Sequence, residues 1–123
     1  MEYVIKTPNE KEKEARIKKE ITKLNKIMRN VDADKRKSMD SLIKNAAFMT
    51  VTLEDLQKQI IEKGATERYQ HGAGQWGMKK SAAVDVYNTM IKNHVSVMKQ
   101  IADAVPKEQK EELDEFAAFV AKR

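Results

Sequence analysis

The sequence predicts an all-α chain of about four helices, two of them long and antiparallel, that assembles as a helical homo-oligomer. Three observations carry this. Met39, Leu42, Ala46, Met49, Leu53, Leu56 and Ile60 step alternately by three and four residues. That heptad spacing keeps apolar side chains on one side of a long helix. Val84, Tyr87, Ile91, His94, Met98, Ile101 and Val105 repeat the alternation over a similar length. Two seams of equal period are most simply explained by packing against each other. Finally, no stretch alternates with period two, so no sheet is expected.

The elements follow in order. Residues 1–6 form a short arm. Thr7-Pro8-Asn9-Glu10 then reads as a helix start, with Thr7 as cap, Pro8 at the first helical position and Glu10 closing the box. Ile17, Ile21, Leu24, Met28 and Val31 give this first helix its seam. Its first two turns carry almost no apolar residue, so the helix is expected to project there or to bind something else. Asn30 to Asp34 reads as a connection, with Asp32 or Asp34 capping the next helix. That second helix is expected to run unbroken from Asp34 to Lys63. The β-branched run Thr50-Val51-Thr52 lowers helix propensity but leaves the phase of the seam intact. Gly64 suits the residue that ends it.

Ala65 to Lys80, with Gly72, Gly74 and Gly77, reads as an exposed loop. Ser81 caps the third helix, Asp85 favours its N-terminal dipole, and Pro106 ends it at Val105. Pro106 opens a C-terminal helix with an apolar face of Leu113, Phe116, Ala117, Phe119 and Val120. The chain is therefore one helical domain, 1–123. It comprises a basic arm and helix (1–31), a central helical hairpin with loop 65–80 (32–105) and a C-terminal helix (106–123).

Composition limits the function. The 123 residues contain no Cys, which excludes disulfides and thiolate metal sites. No apolar run fits a signal peptide or spans a bilayer, so a cytoplasmic protein with no membrane partner is expected. His71 and His94 lie far apart, and neither has a second ligand at metal spacing. His94 falls in a seam and reads as a core or interface histidine with a local hydrogen bond, with a buried pH switch as the sharper alternative. Gly72-Ala73-Gly74-Gln75-Trp76-Gly77 lacks the strand and the Lys-Ser/Thr pair of a phosphate loop. No catalytic constellation, metal site or cofactor is expected.

Three features point to binding. The net charge of +5 falls wholly within residues 1–37. Arg16, Lys19, Lys23 and Lys26 share one helix face opposite the seam, and Lys35-Arg36-Lys37 extends it. Such a row can track phosphates. Glu12 and Glu20 interleave with it, as on an ordinary solvated face. Trp76 is an aromatic among cations in the loop, suited to stacking on a base, to docking a partner protein or to folding back on the bundle. Phe116 and Phe119 either complete the bundle or meet a partner.

Two stretches carry a resemblance. Leu42-Ile43-Lys44-Asn45-Ala46-Ala47-Phe48-Met49 is followed by Val51-Thr52-Leu53-Glu54-Asp55-Leu56. Val86-Tyr87-Asn88-Thr89-Met90-Ile91-Lys92-Asn93 is followed by Met98-Lys99-Gln100-Ile101 and Val105-Pro106-Lys107. Together they cover about half the chain, and the chain resembles short bacteriophage terminase small subunits. The resemblance implies a non-enzymatic ring-forming subunit that binds double-stranded viral DNA. It also implies regulation of the terminase large subunit, which holds the ATPase and nuclease, in the cytoplasm of an infected bacterial host. Larger members begin with a helix-turn-helix domain, whereas this N-terminal part reads as one charged helix. A structural helical oligomerisation module without a nucleic-acid role is the alternative.

Overall fold

A computed structural model of the chain describes residues 8–106 together with Asp114 and Glu115. Its elements are α1 (Pro8–Ile27), α2 (Ala33–Ser38), α3 (Asp40–Lys63), β1 (Thr66–Gly72), β2 (Gln75–Lys80) and α4 (Ala82–Ala104). α3 is the helix against which α1, α2 and α4 all pack.

Local chemistry sets the helix ends. The Asp32 carboxylate accepts from the Lys35 amide and caps α2. The Ser81 hydroxyl accepts from the Val84 amide and caps α4. Gly64 closes α3 at φ +85° and ψ 168°, a region that essentially only glycine enters. α3 runs through Thr50, Val51 and Thr52 without a break; Thr50 is buried, and its hydroxyl donates to the Ala46 carbonyl at 2.9 Å. The expected single helix from Asp34 is interrupted at Met39, which separates α2 from α3. The Met39 amide still bonds back to Lys35 and Arg36, so the break is a tight join.

The two long seams meet. Thr50 faces His94 and Gln57 faces Tyr87, which fixes α3 and α4 as antiparallel. On α4, His94, Met98, Ile101 and Val105 are buried as the spacing implied. On α3 the buried set is broader than the heptad. It comprises Ile43, Ala46, Ala47, Thr50, Val51 and Leu53, while Leu42, Met49, Leu56 and Ile60 are only half-buried. The reason is a further neighbour: α1 meets α3 at Glu54 and Asp55, whereas α4 meets it at Thr50 and Gln57. A core at one end joins Leu24, Ile27 and Met28 of α1 to Ile43, Ala46 and Ala47 of α3 and to Met98 and Ile101 of α4. Fully burying such a side chain contributes about 1.5–3 kcal/mol.

The expectation of no sheet is overturned. β1 and β2 pair antiparallel, from Thr66 opposite Lys80 to Gly72 opposite Gln75, where the expectation was a loop. His71 is an extra residue bulged from β1, and Gly74 takes φ +71° in the turn. The period-two signal is missing because no face is buried. Glu67 and Gly77 are half-exposed and every other strand residue is exposed. The Tyr69 ring lies on Gly77, where a Cβ would stand only 3.0 Å from it, an aromatic covering a glycine across the strands.

Candidate nucleic-acid interface

The expected basic face divides in two. Lys19 and Lys26 are exposed one heptad apart on α1, about 10 Å along the axis. Lys35 and Lys37 are exposed on α2. The ammonium groups of these four pair with no carboxylate among the described residues. Arg36 is half-buried and lines, with Asn25, Lys37 and Asp40, an open depression between α1 and the start of α3. Residues 18–37 hold eight Lys or Arg and three Asp or Glu, so the whole charge excess lies on the second half of α1, the turn and α2.

Arg16 and Lys23 stand apart from that set. Arg16 turns to α3, where Nη1 donates to Asp55 at 2.7 Å and Nη2 to Glu54 at 2.9 Å. The bond to Asp55 does most to raise its pKa, opposed by partial burial and helped by Glu54. Lys13 adds an Nζ 3.8 Å from Asp55 and lies 5.3 Å above the Phe48 ring. Ion pairs and a cation–π contact therefore latch the early turns of α1, where apolar residues are missing. This answers the expectation that those turns project. Lys23 is exposed, with Nζ 3.3 Å from Glu20 Oε1. Sequence spacing gave no sign of the Arg16 contact, because its acids lie 38 and 39 positions away.

Trp76 does not fold back on the bundle. It is 55 % exposed on β2, with the Arg68 guanidinium 4.8 Å from its ring. Phe116 and Phe119 lie outside the described residues. His71 is exposed, its ring 5.3 Å from Tyr69. His94 is buried, and its Nε2 stands 3.0 Å from the Thr50 hydroxyl. That hydroxyl donates its one proton to Ala46, so it accepts from Nε2–H. Burial pushes the imidazole below its ordinary 6.5, which keeps it neutral.

Among the described residues, no group of three or more His, Cys, Asp or Glu side chains is placed to hold a metal ion. No helix of the described residues is long and apolar enough to cross a membrane. The arrangement leaves Lys19, Lys26, Lys35 and Lys37 exposed on α1 and α2. Compared with known proteins, the chain matches no family model, no curated protein and no solved structure.

Proposed function

We propose that the chain is a non-enzymatic, DNA-binding packaging subunit of the terminase small-subunit type, working as a homo-oligomer that engages a large ATPase and nuclease subunit. One observation carries the DNA-binding part: Lys19, Lys26, Lys35 and Lys37 of α1 and α2 are all exposed and pair with no carboxylate among the described residues. Repetition of those lysines around an oligomer would present a basic rim to a duplex. The packaging part rests on the resemblance, whose two stretches are the segments that pair as α3 and α4.

Phosphate contacts release counterions, so affinity falls with salt by a slope of about 0.9 per contact. Four contacts from one protomer imply binding about a hundredfold weaker at about 200 mM salt than at about 50 mM. A gel shift on duplex DNA at both salts is expected to show that loss. Failure to retain duplex at the lower salt would favour the structural oligomerisation module.

A further inference from the structure

Among the described residues, one concave and one convex apolar surface stand exposed. The concave surface is a groove of about 630 Å³ between α3 and α4. Phe48 and Met49 of α3 and Val86 and Met90 of α4 line it, and Asp85 is its one charged lining residue. Phe48 is 46 % and Val86 48 % exposed. The convex surface is one face of the hairpin. Pairing of Arg68 with Met78 and of Gln70 with Trp76 puts Trp76, Met78 and Arg68 on the same side of the sheet. Trp76 is 55 % and Met78 61 % exposed, and no helix covers either face of the sheet among the described residues.

The hairpin is anchored but unsupported. Ser81 donates its amide to the Ala65 carbonyl at 2.9 Å and closes the base where α3 ends and α4 begins. Extended backbone then carries Trp76 about 13 Å beyond Lys80. Its own groove lies along the first turns of α4, and Trp76 and Met78 do not line it. A two-stranded sheet without a packed face is at best marginal in water, so a covering partner is expected.

We propose that Trp76 and Met78 of one protomer enter the Phe48–Met49–Val86–Met90 groove of the next. Charge supports a second copy as the occupant. On the hairpin Lys79 is paired with Glu67 at 3.4 Å, which leaves Arg68 without a carboxylate partner among the described residues, and the charged lining residue of the groove is Asp85. Asp85 holds Lys80 of its own chain at 3.0 Å, with both side chains more than half exposed. Such a pair is weak and leaves the carboxylate open to a neighbour's Arg68. The contact is head-to-tail, and repeating a head-to-tail contact makes a ring wherever the rotation closes. This deepens the homo-oligomeric part of the proposed function and is independent of DNA.

The test uses two variants of the full chain. Trp76→Thr with Met78→Thr spoils the hairpin face and keeps β-favouring residues. Val86→Lys, at a half-exposed position, sets a cation against Arg68. Far-UV circular dichroism checks that both retain their helices. Wild type is expected to run as several protomers by light scattering, and each variant alone as a 14.1 kDa monomer. Mixed in equal amounts, the two are expected to form one species of two protomers, because each supplies the half that the other lacks. The sole Trp of that mixture belongs to the Val86→Lys chain, and its emission is expected to shift to the blue on mixing.

An oligomer that survives in either variant overturns the contact while leaving assembly intact. Two monomers that fail to combine overturn it as well. A monomeric wild type would overturn both the contact and the assembly part of the proposed function.

Discussion

The imidazole of His94 reports how polar groups are used inside this protein. It donates to Thr50, which donates in turn to the Ala46 carbonyl, so one buried chain ties α4 to the backbone of α3. Gln57 Nε2 donating to Tyr87 at 2.9 Å repeats the tie farther along. Heptad seams tolerate sliding by a whole repeat, and polar pairs of this kind specify one register. Protonation of His94 has a definite sign. The unfolded chain takes up the proton at the ordinary 6.5, while the folded chain takes it up only at lower pH. Between those values the unfolded state binds more protons, so stability is complete above about 6.5 and falls as pH falls below it. Urea midpoints at about pH 7.5 and about 5.5 are expected to show this loss in wild type and much less of it in His94→Gln. Equal losses in both chains would assign the pH dependence to other groups.

The helices were legible in the sequence because their ends are local chemistry. Pro8, Asp32, Gly64, Ser81 and Pro106 each mark a boundary within a few residues of its place in the fold. The same reasoning supplies a test. Gly64 has open space where a Cβ would stand, yet its backbone lies where L side chains are strained. Gly64→Ala is therefore expected to cost about 1–3 kcal/mol in denaturant unfolding, and a neutral result would mean that the join relaxes. The hairpin was illegible for a physical reason. Sequence patterning records burial, and a sheet open on both faces leaves no alternation. What signal existed was Thr66, Tyr69 and Trp76, all strand formers, on either side of Gly72-Ala73-Gly74. The α3 seam was half-legible, because one heptad describes one partner and α3 has several. Arg16 was misassigned to the solvent face because the acids that hold it come from a different helix.

At the scale of the molecule, charge and apolar surface are segregated. The second half of α1, the turn and α2 carry the net positive charge, and the α3–α4 groove with the hairpin carries most of the large exposed apolar residues. In the proposed assembly the second set joins protomers while the first remains free for DNA. The central claim is that the α1–α2 cations make the phosphate contacts. The most direct measurement is the slope of log affinity against log salt for duplex DNA, compared between two equal charge changes. One variant is Lys19→Glu with Lys26→Glu on α1. The other is Lys92→Glu with Lys99→Glu, two exposed residues of α4. The α1 variant is expected to lower the slope by about two and to weaken binding to every sequence alike, with the oligomer intact. The α4 variant is expected to leave the slope nearly unchanged. Equal changes from both pairs, or none from the α1 pair, would contradict the assignment.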